Sequence, residues 1–387
     1  MGEPAGGHRR RVLVVVGTRP EAIKMAPVLD ALRRDGRVDS CLALTGQHTD
    51  LVDQVLNTFG MVPEYDLGIM REGQTLYDVA HACLDGLREV VNDYCPEVLL
   101  VQGDTATVFF GSLVSYFEDV RVGHVEAGLR TKDKRAPFPE EMFRHCCDVI
   151  ADYRFAPTQR ARENLLAEGV SADTIHLTGN TVVDALRCVA EQRRPVRDPT
   201  LAEVIAGDRR LVLLTAHRRE SFGEPLRNVF RAVLQIADAH ADIEIVYPVH
   251  PNPDVLEPAH EILSGHERVH LIDPLDYADL VAALRHSRLI LTDSGGIQEE
   301  APTFGTPVLV LRKVTERPEG LDAGVACLVG TEPGRIVSEA ERLLAAERMT
   351  GEVSSPYGDG RAGERIADIL ISEMLSVARS TTDWESP

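Results

Sequence analysis

"VLVVVGTRPEAI" at residues 12–23 joins an apolar, β-branched run to a glycine turn and then to a stretch able to form a helix. The run is apolar at successive positions instead of alternating, which is typical of a strand buried on both faces of a parallel sheet. A similar pattern, "LVLLTAHRRESF", begins at Leu211. The repetition predicts two domains that each open on a first strand and a basic turn, and chance similarity is the alternative explanation.

Further short apolar runs alternate with amphipathic stretches along the chain. The runs are EVLLVQ at 97–102, IEIVYPV at 243–249, RLILTD at 288–293 and TPVLVLR at 306–312, and helix-like stretches lie at 22–34, 76–92 and 227–240. Strands that alternate with helices predict parallel sheets covered by helices on both faces. We therefore predict an α/β protein with two Rossmann-like, doubly wound domains, over residues 8–180 and 181–361. A final helix at about 362–378 and a disordered tail at 379–387 complete the prediction.

The composition excludes several classes of partner. The chain has 387 residues, 44% of them hydrophobic, and a formal net charge of -20. Such an acidic surface argues against nucleic acid and anionic membranes as partners. The 7 cysteines are scattered without a CxxC pair, which argues against a zinc site or a disulfide framework and favours the cytoplasm. The longest apolar runs are too short for a signal peptide core or a membrane span.

Charged side chains cluster after the predicted strands, where doubly wound sheets bind ligands. The cationic and histidine side chains are Arg19, Lys24, Arg130, His217, Arg218, Arg219 and Arg317, and the acids among them are Asp104, Glu126 and Glu140. Apolar and small neighbours predict a partly desolvated Glu126, which suits a base. The alternatives are ordinary: an exposed basic helix start for Arg19, a helix N-cap for Asp104 and a solvated helix start for Glu140.

"DSGGIQEEAP" at 293–302 predicts a strand that turns through two glycines into a helix. Glycine lets a ligand approach the unpaired N–H groups of the helix start, where the helix dipole favours an anion. A phosphate is therefore expected beside Ser294, Gly295 and Gly296, and Glu300 is placed to bind a ribose diol. An ordinary tight turn is the alternative.

Other nucleotide and sugar-nucleotide motifs are missing or misplaced. "GDGRAG" at 358–363 fits GxGxxG, but no strand precedes it, so it does not predict NAD binding. The sequence has no Walker motif, and its folded part has no DxD motif. The residues thus predict a nucleotide-diphosphate ligand in an interdomain cleft and leave the reaction open.

At these residues the chain resembles the non-hydrolysing UDP-N-acetylglucosamine 2-epimerases of bacteria. The matching stretches, which follow in order from about Arg11 to Leu375, include GTRPEAIKMAPV, QGDT, GHVEAGLRT, PFPEE, TGNTVVDAL, HRRES, YPVHPNP, DSGGIQEEAP and TERPE. The resemblance implies the two-domain arrangement called GT-B, with the C-terminal helix returning to the first domain. It also implies a homodimer that needs neither a metal nor another cofactor.

The reaction that the resemblance implies is the interconversion of UDP-N-acetylglucosamine and UDP-N-acetylmannosamine. The proton at C2 is removed, UDP leaves to give 2-acetamidoglucal, and UDP adds back with a proton on the opposite face. The matching catalytic residues are Asp104, Glu126, Glu140 and His217, and the matching UDP-binding residues are Arg19, Lys24, Ser294, Gly295, Gly296, Glu300 and Arg317.

The chain departs from the family near the base and at a second site. Leu275 and Leu280 stand where the family often has Gln and Phe near the uracil. An allosteric UDP-N-acetylglucosamine site, where family members have one, would match Gln47, His48, Arg71, Arg218 and His250. Because Thr49 and Asp50 follow, and an Asp repels a diphosphate, we expect weakened or absent activation.

Three other functions compete with this interpretation. A hydrolysing epimerase would release free N-acetylmannosamine and UDP, and only water exclusion separates the two outcomes. A glycosyltransferase of the GT-B fold is the second alternative, because a fold does not fix a function. A nucleotide-sugar sensor would keep the glycine turn and Glu300, but it should not need three carboxylates and His217 together.

Overall fold

A computed structural model describes residues 9–46, 49–71, 73–347 and 355–385 of the chain. The chain divides into two compact units. The first comprises Met1–Ala185 and Tyr357–Ser386, and the second comprises Leu186–Pro356.

Each unit is built on one sheet of short strands. In the described part of the first unit the strands are β1 (Arg11–Val16), β2 (Asp39–Leu44), β3 (Tyr65–Asp66), β4 (Val98–Gln102), β5 (Arg121–Val125), β6 (Tyr153–Ala156) and β7 (Ile175–Leu177). In that of the second unit they are β8 (Arg210–Thr215), β9 (Ile243–Pro248), β10 (Val269–Ile272), β11 (Ser287–Thr292), β12 (Val308–Val310) and β13 (Ala326–Leu328).

Helices alternate with these strands. They are α1 (Arg19–Asp35), α2 (Thr49–Phe59), α3 (Leu76–Tyr94), α4 (Ala106–Phe117), α5 (Glu140–Ile150), α6 (Gln159–Ala167), α7 (Thr181–Glu191), α8 (Pro199–Ala206), α9 (Glu224–Ala239), α10 (Pro253–Leu263), α11 (Tyr277–His286), α12 (Gly295–Glu300), α13 (Pro318–Asp322), α14 (Pro333–Ala345) and α15 (Ala362–Leu375). Short 3-10 helices lie at Ala172–Thr174, Arg219–Ser221 and Ala301–Phe304.

The first sheet runs in the order β3-β2-β1-β4-β5-β6-β7, and its strands pair in parallel. Its central strands β1 and β4 are buried over almost their whole length, as their uninterrupted apolar sequences predict. Strand order reverses between β1 and β4, so the loops that follow these two strands lie side by side. Ligands of doubly wound sheets bind at such a reversal.

The second sheet repeats this plan in the order β10-β9-β8-β11-β12-β13, again with parallel pairs. Its reversal lies between β8 and β11, which brings together the loops after Thr215 and Thr292. The predicted fold class, α/β with two Rossmann-like doubly wound domains, is confirmed. In the described part of the chain, no helix has the length and apolar character needed to cross a membrane.

The C-terminal helix α15 belongs to the first unit and packs on α1. Gly363 permits the close contact, since a Cβ there would lie 2.7 Å from the backbone oxygen of Pro27. Its N–H also donates to Oδ1 of Asp184 at 2.8 Å. Burial raises the pKa of that carboxyl to about 7, against the opposing hydrogen bond.

The predicted disordered tail at 379–387 needs correction for residues 379–385. Trp384 is 5% exposed and packs with apolar residues such as Ala156 and Leu165. Its N–H donates to the carbonyl of Leu177 at 2.8 Å, and Asp383 accepts the N–H of Leu177 at 3.2 Å. The tail is therefore held against the edge strand β7, and Trp384 supplies an apolar contact that the otherwise polar composition of the tail does not indicate.

Candidate active site

The turn after β1 is packed tightly against its neighbours. A Cβ on Gly17 would lie 2.2 Å from Oγ1 of Thr107 and 2.6 Å from Oγ1 of Thr45, so only glycine fits. The two threonine hydroxyls are hydrogen-bonded to each other at 2.8 Å. Because Gly17 packs against both threonines, the loop after β1 lies beside the start of α4, the helix that follows the Asp104 loop.

The side chain of Glu21 stabilises the same turn through hydrogen bonds. Its carboxyl group is buried and accepts the N–H of Gly17 at 2.6 Å and the hydroxyl of Thr18 at 2.9 Å. Burial raises its pKa to about 7, although the Gly17 hydrogen bond opposes the shift. The turn presents Arg19 and Lys24 on the first two turns of α1, and both residues are half-buried.

Glu126 is surrounded by polar partners, not by the apolar ones that its sequence neighbours predict. Lys24 Nζ lies 2.5 Å from Oε1, and these two side chains are only 13% and 8% exposed. The amides of Gln102 and Asn180 also donate to the carboxylate, the latter at 3.2 Å. These three partners fix the orientation of the Glu126 carboxyl group. Glu126 has a φ of 70°, an unusual conformation for a residue other than glycine.

Asp104 does not cap the following helix. The N-cap of α4 is Thr105, and Asp104 instead forms an ion pair with Arg144 of α5. Sequence reasoning gave Arg144 no role. Arg144 lies three residues after Glu141 at a helix start, a spacing that predicts an ion pair between them. In the structure these two side chains are paired at 3.0 Å.

The adjacent acids Glu140 and Glu141 have different environments. Glu141 is fully buried and accepts the N–H groups of Thr131 at 2.9 Å and Lys132 at 3.1 Å. It therefore anchors the loop after β5. Glu140 is half-buried at the first position of α5, after a loop with cis peptide bonds before Pro137 and Pro139. Of the two acids, Glu140 is the one with solvent access for chemistry.

Arg130 is not available to an anion, contrary to the sequence prediction. One terminal nitrogen lies 2.7 Å from Asp148 and 2.7 Å from Glu168, and its side chain is buried. Neither acid is near Arg130 in sequence, so only the fold reveals that the pairing uses up its charge.

In the second unit, Asp293 joins the loops that follow β8 and β11. It is 1% exposed, and its Oδ2 accepts the N–H groups of His217 and Arg218, each at 2.8 Å. The His217 ring stacks on His250 with a centroid separation of 5.5 Å. Burial lowers the pKa of His217, His250 and Arg218 lower it further, and Asp293 opposes them. A neutral imidazole at pH 7 follows.

The glycine turn lies next to two guanidinium groups. A Cβ on Gly295 would lie 3.6 Å from Cζ of Arg317 and 3.7 Å from a terminal nitrogen of Arg218. The space around Gly296 is more open, since the nearest atom to a Cβ built there would be Ser294 Oγ, at 3.9 Å. Arg317 is held by Glu299 at 2.7 Å. Two cations beside a helix start suit a diphosphate.

Glu300 ends α12 and is 9% exposed, so its position in the fold is fixed by burial. Of the candidate allosteric residues, Gln47 and His48 lie outside the described residues. Arg71 is exposed in the first unit. Arg218 and His250 instead contact the cluster around His217 and Gly295.

The chain and its structure are similar to known proteins over most of their length. A sequence profile of the family described as UDP-N-acetylglucosamine 2-epimerase matches residues 30–371. The UDP-N-acetylglucosamine 2-epimerase of Bacillus subtilis is 47% identical over 364 residues, which is 93% of this chain and 95% of that protein. A crystal structure described as UDP-N-acetylglucosamine 2-epimerase superimposes with a TM-score of 0.88 at 43% identity, covering 98% of this chain and all of the other.

A further structure carries a ligand. The enzyme of Neisseria meningitidis, solved with UDP-GlcNAc bound, has a TM-score of 0.82 and 39% identity, with 95% of this chain and 100% of that chain covered. The profile spans most of the chain, and the similarity runs through both units. The chain therefore belongs to the UDP-N-acetylglucosamine 2-epimerase family.

Proposed function

We propose that this protein interconverts UDP-N-acetylglucosamine and UDP-N-acetylmannosamine without hydrolysis. The observation that carries the proposal is the coexistence of two features in a chain of this family. One is a cationic glycine turn that suits a diphosphate, and the other is a group of carboxylates held by buried cations and amides. A binding protein would need only the first feature.

The second unit would bind UDP. Arg218 and Arg317 lie beside Gly295 at the start of α12 and would neutralise the diphosphate as it becomes a leaving group. The neutral imidazole of His217 would donate a hydrogen bond to a phosphate oxygen without adding a further buried charge. Glu300 would accept the hydroxyl groups of the ribose, as acids do in other nucleotide folds.

The first unit would perform the proton transfers at C2. Inversion of C2 requires that a proton leaves one face and arrives at the other, so at least two acid–base groups are needed. Asp104, Glu126 and Glu140 are the candidates. The ion pairs with Arg144 and Lys24 hold Asp104 and Glu126 in place.

Proton and phosphorus NMR of UDP-N-acetylglucosamine with the purified protein in D₂O tests the proposal. Epimerisation would give a second anomeric signal, deuterium at C2 and little free UDP. Equal amounts of UDP and free N-acetylmannosamine would identify a hydrolysing enzyme instead. An unchanged spectrum despite demonstrated binding would contradict both and favour a transferase or a sensor.

Two further properties belong to the proposal. We expect a homodimer, which light scattering would measure as twice the 42.5 kDa chain mass. We also expect weak or absent activation by UDP-N-acetylglucosamine, because Asp50 adds a negative charge next to Gln47 and His48. A sigmoidal rate curve that becomes hyperbolic on adding this nucleotide sugar would contradict the second expectation.

A further inference from the structure

His124 is a buried histidine of β5 that the proposed reaction does not use. Its Nδ1 lies 2.6 Å from Oδ1 of Asp148, and its Nε2 lies 2.8 Å from the carbonyl oxygen of Gly103. A carbonyl oxygen and an ionised carboxylate only accept hydrogen bonds. Both ring nitrogens must therefore donate, which makes the side chain an imidazolium.

Asp148 is the negative partner of this cation. Burial favours its neutral form, but His124 and Arg130 face it and hold its pKa below the ordinary value. Burial likewise opposes the charge on His124, yet the facing Cys147 and Asp148 raise its pKa well above the ordinary value. The hydrogen-bond geometry and the electrostatic environment both indicate that His124 and Asp148 form a buried, ionised pair.

The imidazolium end of the pair holds the loop that carries Asp104. Gly103 has a φ of 85° and immediately precedes that residue. Its carbonyl accepts the proton of His124 Nε2, and its N–H donates to Val125 of β5 at 3.1 Å. The backbone at Gly103 is therefore tied to β5 through both of its polar groups.

The carboxylate end holds the loop that carries Glu126. Oδ2 of Asp148 accepts the N–H of Gly128 at 3.1 Å, two residues after Glu126. Glu126 itself needs such support, since its φ of 70° lies in the left-handed region that disfavours side chains. Its N–H and that of Ala127 both donate to Phe155, at 3.0 and 3.2 Å.

We propose that His124 and Asp148 form a positioning pair that fixes the Asp104 and Glu126 loops relative to each other. Each loop is bound to one end of the same ion pair, so neither can shift without breaking a buried, charge-assisted hydrogen bond. The inference rests on the proposed function for its catalytic consequence. Misplacing a catalytic group by about 1 Å can lower a rate by about 100-fold.

The test concerns two anchors, the hydrogen bond from His124 to Gly103 and the one from Gly128 to Asp148. It compares variants that remove an anchor with one that keeps both. Asp148→Ala and His124→Phe remove hydrogen bonds to the loops. In Asp148→Asn the amide oxygen can face Gly128 while its NH₂ faces Nδ1 of a neutral His124, whose Nε2 still donates to Gly103. This variant removes the charges of Asp148 and His124 and keeps both anchoring hydrogen bonds.

The control is Asp368→Ala. Asp368 is also a mostly buried carboxylate of the first unit that accepts backbone N–H groups, here from Ser380 at 2.8 Å and Thr381 at 2.7 Å. These hydrogen bonds hold the C-terminal tail, not the two loops. Asp368→Ala should therefore lower the stability of the first unit without moving the Asp104 and Glu126 loops.

We expect kcat to fall about 100-fold in Asp148→Ala and His124→Phe, with KM and the Kd for UDP within about twofold of wild type. Asp148→Asn should stay within about tenfold of the wild-type kcat, and the control should retain it. Loss of Tm without loss of kcat in the first two variants would overturn the proposal. Equal losses in Asp148→Asn and Asp148→Ala would overturn it as well, since charge rather than anchoring would then matter.

Hydrogen–deuterium exchange separates failure of this inference from failure of the proposed function. Peptides that cover residues 102–108 and 124–131 should exchange faster in Asp148→Ala than in wild type, Asp148→Asn or Asp368→Ala. The measurement needs no substrate and applies even if His124→Phe does not fold. Unchanged exchange in Asp148→Ala would refute the positioning role whatever reaction the protein catalyses.

Discussion

The ammonium group of Lys24 lies 2.5 Å from a carboxylate oxygen of Glu126, although 102 positions separate the two residues in sequence. The pair joins the helix after β1 to the loop after β5. Because both side chains are largely buried, removing either one would leave a buried charge without its counter-charge.

Replacing Lys24 with methionine should impair both stability and activity. The carboxylate of Glu126 would keep its two amide donors but lose its counter-charge, and breaking buried pairs costs about 3–5 kcal/mol. We expect at least a 100-fold fall in kcat/KM, about the contribution of one acid–base group. The control is Arg34→Met, which breaks the exposed pair with Asp30 on the same helix and should change stability by less than about 1 kcal/mol. Equal effects of the two variants in urea denaturation would contradict the prediction.

Gly17→Ala should destabilise the turn after β1. Its new methyl group would lie 2.2 Å from Oγ1 of Thr107, so the loop must move, and such overpacking costs about 1–3 kcal/mol. Thermal unfolding and activity measure the effect. Gly207→Ala is the matched control, since the nearest atom to its methyl group would be 3.5 Å away. A Gly17→Ala enzyme with wild-type Tm and kcat would disprove the steric argument.

The acid limb of the pH–rate profile should lie below the ordinary histidine pKa of 6.5 if neutral His217 is required. Burial, together with the neighbouring His250 and Arg218, depresses the pKa of His217 against the opposing effect of Asp293, so the imidazole stays neutral to lower pH. His250→Gln removes one of the neighbours that lower this pKa and should move the limb to higher pH. The profile of kcat/KM checks both statements, and an unmoved limb in His250→Gln would refute the second.

The free energy of unfolding should decrease as pH rises from about 5 to 8, because two buried carboxyl groups lose their protons in this range. Glu21 and Asp184 have pKa values of about 7 in the folded protein, above the ordinary values of 4.5 and 3.8. The folded state therefore binds more protons in this window, and the stability present below the ordinary pKa is lost as pH rises through 7. Glu21→Gln should flatten the pH dependence of the free energy of unfolding. The prediction fails if this variant keeps the wild-type slope.

Trp384→Ala should lower the free energy of unfolding by about 3–5 kcal/mol, because it empties a buried aromatic site. Val377→Ala is the control, since Val377 is 41% exposed and lies in the same C-terminal segment. Urea denaturation followed by circular dichroism gives both values. A small effect at Trp384 would mean that the tail contributes little to the first unit.

The sequence predicted the elements that local pattern determines. The apolar runs that begin at Val12 and Leu211 form β1 (Arg11–Val16) and β8 (Arg210–Thr215), since uninterrupted apolar residues favour burial in the middle of a sheet. The run TPVLVLR at 306–312 gives a strand of only three residues, Val308–Val310. It pairs with β11 and β13 over three positions each, and periodicity does not reveal where that pairing stops.

For the candidate site, the sequence indicated which segments lie together better than it indicated which long-range contacts their side chains make. The glycine turn and Arg317 do lie together, because adjacent sequence and strand order fix them. The roles of Arg130 and Arg144 depend on ion pairs with Asp148 and Asp104, which are distant in sequence. Charge pattern along a chain does not specify which long-range partner a cation meets.

Trp384 is the single tryptophan of the chain, and it is buried in the first unit. Fluorescence excited at a wavelength that selects tryptophan thus reports on one unit, whereas helix content reports on both. Unfolding curves from the two signals will coincide if the units lose structure in one cooperative step and separate if they do not. The protein carries its own probe of whether its two halves fold as one.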